Sequence, residues 1–444
     1  MSFTVTDRTK ESSSTTGTGA FTLSGAPSNY VTFNTAVGVN NFTHYAINHL
    51  SANEWEVGYG QLTGATTLTR LIVFSGTNGT SFVNFSAGTK EVFVTLPSSF
   101  NGQTLGRTNI IINPHGSIQQ ETTTPVTTSG AYFADQWIAS ISAATAAFQA
   151  GVTTGTVSAY DPSYMFYKTT TAKGSLAVGD NAHIVQFVEG NYIRRLLYGG
   201  SSAKMSWLRW RASSSQSGTA SVAIRNAAGD RTFVQAFSVT TTPTDYFLFV
   251  PGDTTGTWPT TNALGAQVHF TFAAGTALQT STLGAWQAGN FIAANTQSNM
   301  LDTVNRQLNI TDVQWSQSAV LLPFEPIDWE QELGRCRRYF KTSYNGNTGN
   351  NVGSASAPLV TFIPIRTDFY SPLPVGGPPM RTAAPTTTTY SPATGTANRV
   401  RNSDTSTDIT ASASSDAWGT WVQIVATMTS QQNHNMAYVI NARM

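Results

Sequence analysis

Cysteine and charge are both scarce in this sequence. Of its 444 residues one is cysteine, Cys336, so no disulfide can form within the chain. Charged residues make up 11% of the sequence, against about 25% in an average globular domain. The 24 Lys and Arg residues nearly balance the 23 Asp and Glu residues, which gives a net charge of +1. This balance argues against nucleic acid or an anionic membrane as an electrostatic partner.

Long apolar runs are also lacking. No segment approaches the roughly 18–20 consecutive apolar residues of a membrane-spanning helix, so we expect no membrane insertion. The start of the sequence, "MSFTVTDRTKESSS", has no apolar segment of the kind found in signal peptides. We therefore expect synthesis in a reducing cytoplasm without a secretory signal, and release by another route such as cell lysis.

Motifs for catalysis and cofactor binding are missing as well. The six histidines form no HxH, HxxxH or HExxH pattern, and no P-loop, GxSxG or dinucleotide-binding glycine motif occurs. We predict no cofactor, no catalytic residue and no metal centre. Asp312, in "NITDVQW", is the one residue for which we considered a structural calcium site.

The sequence is rich in short segments that alternate between apolar and polar residues, the pattern of half-buried strands. "EWEVGYGQL", "TASVAIRN" and "TFVQAFSVT" are examples, and turn signals such as "SGTNGT" separate them. The spacing is typical of a two-sheet sandwich or jelly roll. We predict an all-β chain of three modules in series: a small β domain at 1–105, a jelly-roll sandwich at 106–326, and a short helix with a C-terminal β domain at 327–444.

One segment, "EPIDWEQELGRCRRYF", predicts a helix near 328–340. Asp328 is a candidate N-cap, with acidic residues in the first turn and arginines in the last, which complements the helix dipole. Cys336 shares a helical face with Leu333 and Phe340, so we interpret it as a small packed side chain.

"EWEVGYGQLTG" raises the question of a glycosidase site, because Glu54 and Glu56 stand two residues apart beside aromatic residues. Residues i and i+2 of a strand lie roughly 6.5–7 Å apart, which does not exclude paired catalytic carboxylates. However, Trp55, Val57 and Tyr59 alternate with them as the apolar face of a strand would. We therefore predict that both glutamates are solvated on the polar face.

Aromatic residues are the remaining candidates for ligand contact, since an aromatic ring can stack on the apolar face of a sugar. Trp207 and Trp210 in "SWLRWR" have opposite parity, so a strand sends them to opposite faces, one toward the core and one toward solvent. With Tyr164 and Tyr167 of "YDPSYMFY" they form our predicted glycan-contact set. Trp258 and Trp286 are interpreted as structural residues that close one end of the sandwich.

Three parts of the sequence resemble modules of tailed-bacteriophage tail fibre or spike proteins. "VTDRTKESSSTTGTGAFTLSGAPSNYVTFNTAVG" with "HYAINHLSANEWEVGYGQLTGATTLTR" resembles an N-terminal module of phage fibre and virion proteins. "INPHGSIQQ", "YFADQWIAS", "SWLRWRASSSQSGTASVAIRN" and "LNITDVQWSQSAVLLPFEPIDWEQELGRCRRYF" resemble a phage jelly-roll module similar to carbohydrate-binding modules. "PPMRTAAPTTTTYSPATGTAN" with "YVINARM" resembles the C-terminal β module that often follows it. The jelly-roll module usually starts with an Arg-rich "RVWQRG"-like segment, which here reads "HGSIQQ".

The resemblance implies a structural, non-enzymatic component of a virion, carried on the tail or head surface. It implies that the N-terminal module attaches to other virion proteins, that the sandwich and C-terminal modules contact host surface polysaccharide, and that the chain forms a homotrimer. Two alternatives stay open: a spike that depolymerises capsule, and a purely structural head fibre, decoration protein or tail adaptor without receptor binding. On the fibre reading Glu54 and Glu56 are outer-face residues of a docking module.

Overall fold

The computed structural model describes residues 4–97, 109–158, 160–318, 321–343, 373–374, 378–402, 404–416, 419, 421–426 and 434–444. The chain divides into two compact units. The first comprises residues 1–108 with 316–323, and the second comprises 109–315 with 324–444. The sequence predicted a boundary at 105/106 and another at 326/327. In the structure, residues on both sides of the latter position group with the second unit.

The described part of the first unit is built on a six-stranded antiparallel sheet. Its strands are β1 (Lys10–Ser13), β2 (Phe21–Thr22), β3 (Phe42–His49), β4 (Trp55–Gly64), β5 (Thr67–Gly76) and β6 (Lys90–Phe93), in the spatial order β1-β6-β3-β4-β5-β2. A single-turn helix, α1 (Phe33–Ala36), follows β2. The Glu11 carboxylate accepts a hydrogen bond from the Phe33 amide at its start (2.7 Å), which satisfies one of the otherwise unpaired N–H groups.

The prediction that Glu56 is solvated is wrong. Its side chain is fully buried and accepts hydrogen bonds from the Arg70 guanidinium (2.9 Å), the Tyr45 hydroxyl (2.6 Å) and the Val83 amide (2.7 Å). Trp55, predicted to face inward, is 37% exposed instead. The orientation of Glu56 depends on a long-range partner, because Arg70 lies on the neighbouring strand β5. A local sequence pattern does not indicate that pairing.

Glu54 lies just before β4 and is partly exposed. Its carboxylate accepts a hydrogen bond from the Ser86 amide (2.8 Å), and this bond lowers the pKa of Glu54. The Glu56 carboxylate is bound by an arginine and the Glu54 carboxylate by a backbone amide. The two carboxylates therefore do not form the open acid–base pair of a glycosidase.

The second unit contains a sandwich of a seven-stranded and a five-stranded sheet. The seven-stranded sheet consists of β7 (Ala131–Ala134), β8 (Trp137–Ser142), β11 (Asn181–Glu189), β13 (Gly218–Asn226), β14 (Arg231–Val239), β16 (Leu264–Ala274) and β18 (Trp286–Ala288), in the order β18-β14-β13-β16-β11-β8-β7. The five-stranded sheet consists of β9 (Ala147–Thr154), β10 (Ser163–Thr171), β12 (Ser206–Ser214), β15 (Thr244–Val250) and β20 (Gln307–Gln317), in the order β15-β12-β20-β10-β9. A short parallel pair, β17 (Gln279–Thr280) and β19 (Ala293–Ala294), accompanies them.

Aromatic residues join the two sheets of the sandwich. The Trp210 ring of the five-stranded sheet meets Phe270 of the seven-stranded sheet edge to face, with 5.7 Å between centroids, and Tyr167 meets Phe272 at 4.8 Å. Alternation along each strand fills the rest of this core, as in β13, where Ala220, Val222 and Ile224 point inward. The large buried aromatic area therefore holds the two sheets face to face.

The remaining elements complete the second unit. One sheet joins β21 (Phe340–Thr342), β28 (Ala437–Asn441) and β23 (Thr386–Tyr390), and another joins β22 (Leu373–Pro374), β26 (Trp421–Ala426), β25 (Thr407–Ser415), β24 (Arg399–Asn402) and β27 (His434–Asn435). The helices that the structure describes in this unit are α2 (Gly190–Ile193), α3 (Trp329–Arg337) and two 3₁₀ turns at Arg194–Leu196 and Thr276–Leu278. The prediction of an all-β chain with a short helix near 328–340 is confirmed. None of the helices that the structure describes is long and apolar enough to cross a membrane.

Helix α3 is fixed to the start of the sandwich by a buried ion pair. Glu332 accepts a hydrogen bond from the Asn113 amide (2.5 Å) and pairs with Arg335 (2.9 Å), which donates in turn to the Asn109 carbonyl (2.7 Å). Cys336 is fully buried beside Ile112 and other apolar residues, as predicted. Asp328 stands at the N-cap position, but its side chain makes no capping bond. The helix is thus anchored through its inner face rather than by its cap.

The buried Glu56–Arg70 pair leads to a stability prediction. Arg70→Ala leaves the Glu56 carboxylate buried without a counter-charge, so we expect it to lower the free energy of unfolding by about 3–5 kcal/mol. The matched control is Lys10→Ala, which breaks the partly exposed Lys10–Glu91 pair and is expected to cost less than about 1 kcal/mol. Urea denaturation measures both. If both variants lose a similar amount of unfolding free energy, burial of the Glu56–Arg70 pair is not what makes its loss costly.

His44 leads to a prediction about pH. It is fully buried beside the rings of Tyr59 and Phe74, and burial lowers its pKa to about 4. Since an unfolded histidine has a pKa of about 6.5, this residue stabilises the fold fully above that pH and progressively less as the pH falls toward 4. As the pH falls across this interval, we expect the free energy of unfolding of the unchanged protein to decrease by up to about 3 kcal/mol. The His44→Phe variant lacks this titrating group and should not show that decrease. Urea denaturation of the two proteins at each end of this pH interval tests the prediction. If their free energies of unfolding change with pH in parallel, the prediction is wrong.

Candidate functional site

The structure separates the four aromatic residues predicted to contact a glycan. Trp210 is 1% exposed and Tyr167 is fully buried, and both belong to the core between the sheets. The glycan-contact prediction for these two residues is therefore corrected: the opposite sheet covers the ring faces that would have to meet a sugar. Trp207 lies on the opposite face of β12, as its parity predicted, but it is only 5% exposed and packs against Phe249 at 5.3 Å. Tyr164 is half-buried on that same outer face.

The outer face of the five-stranded sheet carries the candidate site. Strand pairing places Gln149, Lys168 and Gln307 in one row across β9, β10 and β20. Asn309 follows in the next row and Tyr164 lies one row further along β10. All five side chains are half-buried, so each is held in place while keeping part of its surface in solvent. These five residues are called the polar face below.

A chain of hydrogen bonds fixes the amides of the polar face. The Gln307 side-chain amide donates to the Asn309 side-chain oxygen (2.7 Å), and the Asn309 amide donates to the Ser213 hydroxyl on β12 (3.0 Å). An amide carries two donors and an acceptor with two lone pairs, so both side chains keep unused hydrogen-bonding capacity. The chain therefore presents donors and acceptors at defined positions rather than on freely rotating side chains.

Phe166 forms an apolar element between the amides. It lies over Gly151 of the neighbouring strand, where a Cβ atom would come within 3.1 Å of both the Phe166 ring and Pro125. A side chain at Gly151 would crowd the ring and the proline. The amides thus adjoin a rigid apolar surface.

A loop and a phenylalanine cover the other end of this outer face. The Arg211 guanidinium donates to the Val157 carbonyl (2.5 Å), and Tyr160 packs on Phe324 with ring centroids 4.8 Å apart. Phe324 also lies 5.7 Å from the guanidinium carbon of Arg209. These contacts cover the part of the outer face that carries Arg209 and Arg211.

The outer face carries the cations Arg209, Arg211 and Lys168 and the carboxylate of Asp245. Asp245 is paired with Arg211 at 3.2 Å and lies 3.8 Å from Arg209. Lys168 is half-buried. Asp245 alone is not the pair of opposed carboxylates that glycoside hydrolysis uses. The arrangement is suited to binding a hydroxyl-rich ligand by hydrogen bonds and stacking.

Asp312, considered above for a structural calcium site, is buried. One of its oxygens accepts a hydrogen bond from the Ser158 hydroxyl (2.6 Å) and lies 3.0 Å from the His115 ring nitrogen. Its backbone has a φ of 53°, a left-handed conformation that Asp tolerates better than most residues. No group of three or more His, Cys, Asp or Glu side chains in the described part of the chain is arranged to hold a metal ion.

Trp258 and Trp286 pack against each other edge to face at 5.3 Å, and both meet Tyr198. Their indole N–H groups donate to Asp253 (3.1 Å) and to the Pro251 carbonyl (2.7 Å), respectively. These satisfied, mutually packed rings have the structural role that the sequence predicted.

Sequence reasoning missed the amides of the polar face because it searched for aromatic and charged residues. A usable signal was present in "QLNITDVQW", where Gln307 and Asn309 alternate with Leu308 and Ile310. That alternation assigns the two amides to the outer face once the strand is recognised. Their partnership with Ser213, about 95 residues away along the chain, needs the structure.

Comparison with known proteins yields only remote likenesses. No protein-family model matches the sequence, and no curated protein matches it. Among solved structures, the enzymatically active domain of tailspike protein 4 from bacteriophage CBA120 aligns with 47% of this chain and 21% of its own, at 13% identity and a TM-score of 0.26. This chain thus spans about a fifth of that protein's length.

Carbohydrate-binding modules align with this chain at similarly low sequence identities and TM-scores. TmCBM61, solved with beta-1,4-galactotriose, aligns with 48% of this chain and 99% of its own, at 9% identity and a TM-score of 0.25. The family 11 module of Clostridium thermocellum aligns with 46% of this chain and 99% of its own, at 10% identity and a TM-score of 0.24. All these TM-scores are low, and none of the three proteins is therefore a guide to what this chain binds.

Proposed function

We propose that this protein binds polysaccharide through the polar face of its sandwich. The observation that carries the proposal is the hydrogen-bonded chain on an outer sheet face from the half-buried Gln307 and Asn309 to the buried Ser213. Sugar hydroxyls both donate and accept, and fixed amides offer both functions at set positions. A site built in this way selects ligands by the placement of their hydroxyl groups, because a wrong placement leaves polar groups unpaired.

Tyr164 supplies the stacking partner of the proposed site. Its ring lies over Gly155, where an added Cβ would lie 3.1 Å from it, and the residue is half-buried. A phenol ring combines an apolar face with a polar tip, which suits the alternation of C–H and O–H groups around a sugar. Of the four aromatic residues predicted from the sequence, Tyr164 is the one that we keep as a contact residue.

We further propose that the protein works as a fibre or spike on the surface of a tailed-bacteriophage particle. The resemblance of its three sequence regions to fibre modules supports this proposal, together with the low charge and the scarcity of cysteine. In this proposal the first unit attaches to other virion proteins, the second unit contacts host surface polysaccharide, and three copies assemble. The role is binding and not hydrolysis, because the carboxylate of the outer face is engaged by arginines.

The proposal predicts saturable binding that depends on the polar face. We would screen the purified full chain on an array of bacterial surface polysaccharides and measure the strongest ligand by calorimetry. We expect Asn309→Ala and Tyr164→Ala each to weaken binding about tenfold, because each removes a fixed contact worth about 1.4 kcal/mol. The matched control is Gln235→Ala, an amide on β14 of the other sheet, which should bind as the unchanged protein does.

Two results would count against the proposal. Absence of any array signal from a correctly folded chain would favour a purely structural particle component without receptor binding. Equal weakening by Gln235→Ala and Asn309→Ala would move the binding site away from the polar face. Release of reducing ends from the bound polysaccharide would instead identify the chain as a depolymerase.

A further inference from the structure

A second concave feature lies beyond the edge of the sandwich, within the second unit. It is a cavity of about 440 Å³, lined by Glu121, Thr122, Val126, Ala131, Tyr132 and Tyr390. The volume falls in the range of small-molecule sites, roughly 300–1,000 Å³. Strand β7 supplies Ala131 and Tyr132, and β23 of the C-terminal part supplies Tyr390.

The acidic residue that lines this cavity is paired with an arginine. Glu121 is paired with Arg443, whose guanidinium carbon lies between the Tyr132 ring at 4.0 Å and the Phe340 ring at 3.9 Å. Arg443 also lies 3.6 Å from the buried Asp135 carboxylate. Because Glu121, the charged residue of the lining, is already paired, the cavity is suited to a neutral, hydroxyl-rich ligand rather than to an ion.

The two tyrosines supply the contacts that such a ligand needs. The Tyr132 hydroxyl donates to the Met444 carbonyl (3.1 Å), which fixes its ring. The Tyr390 hydroxyl makes no hydrogen bond within the part of the chain that the structure describes, although the residue is half-buried. Burial raises the pKa of both phenols, so both remain O–H donors at neutral pH. The fixed Tyr132 ring and the Tyr390 side chain both line this cavity of ligand size.

The segment from Glu121 to Val126 connects this cavity with the polar face. Glu121, Thr122 and Val126 line the cavity, and Val126 pairs with Ala150 of the edge strand β9 through two backbone hydrogen bonds of 2.7 and 2.9 Å. Pro125, in the same segment, lies against Gly151 and so borders the polar face. One short stretch of chain therefore separates the two features.

We propose that the cavity is a second subsite for the same polysaccharide, so that one ligand chain contacts both the polar face and the Tyr390 side of the cavity. This inference rests on the proposed binding function. It assigns part of the recognition to the C-terminal β region, and it makes the affinity depend on the length of the ligand. Short fragments occupy the polar face alone, whereas longer fragments reach both subsites.

The test uses the strongest polysaccharide of the array, cut into fragments of increasing length and titrated into the full chain by calorimetry. We expect Tyr390→Ala to weaken the binding of long fragments about tenfold and to leave that of disaccharides unchanged. Ala131→Trp, which fills the cavity without removing a polar group, should act in the same way. Tyr30→Ala, which removes a 44% exposed tyrosine of the first unit, is the matched control and should change neither.

The outcomes separate this inference from the function on which it rests. Long fragments that bind wild type, Tyr390→Ala and Ala131→Trp equally well, with Asn309→Ala still weakened, overturn the second subsite and leave the polar face intact. Weakening of disaccharides and long fragments alike by Tyr390→Ala also overturns it, since that pattern indicates a general structural defect. A wild-type chain that binds no polysaccharide on the array overturns both proposals.

Discussion

The alternation of side chains along the strands of the sandwich is the constraint on which the rest of the structure depends. Trp210 and Tyr167 occupy the space between the two sheets, where they meet Phe270 and Phe272. Because neighbouring residues of a strand point in opposite directions, filling this core forces the polar residues between the apolar ones outward. The amide of Asn309 is therefore positioned by the packing of the core. A site on rigid strands keeps its geometry better than one on a loop.

The small number of charges has a second consequence, because several of them are used inside the protein. Glu189 pairs with Arg338 (2.7 Å) and accepts a hydrogen bond from the Tyr339 hydroxyl (2.7 Å), and Glu56 pairs with Arg70. Such pairs add little net stability over well-packed apolar residues, but each makes the loss of one partner costly. They fix which elements meet, and they leave a surface made largely of neutral hydroxyl and amide groups.

Those features that depend on local pattern were predictable from the sequence. The β architecture, helix α3 and the opposite orientations of Trp207 and Trp210 all follow from period-two or helical spacing. Features that depend on distant partners were not predictable. Glu56 was placed on the wrong face because its counter-charge, Arg70, lies on another strand whose register shifts at bulges. The site was sought among tryptophans because nothing in a single sequence distinguishes a large core ring from an exposed one.

The near-zero net charge of the whole chain has consequences for how recognition would work. Long-range electrostatic steering contributes little at such a net charge, and Lys168 adds a single positive charge to the polar face, so association would be slow and only weakly dependent on salt. Affinity at one half-exposed face would then depend on a few fixed hydrogen bonds and one stacked ring, which is a modest total. A second subsite on the same chain converts part of the binding into an intramolecular step, and several copies on one particle would extend this effect. Weak, geometrically selective sites combined in this way hold a long repetitive polymer firmly while each single contact stays easily reversible.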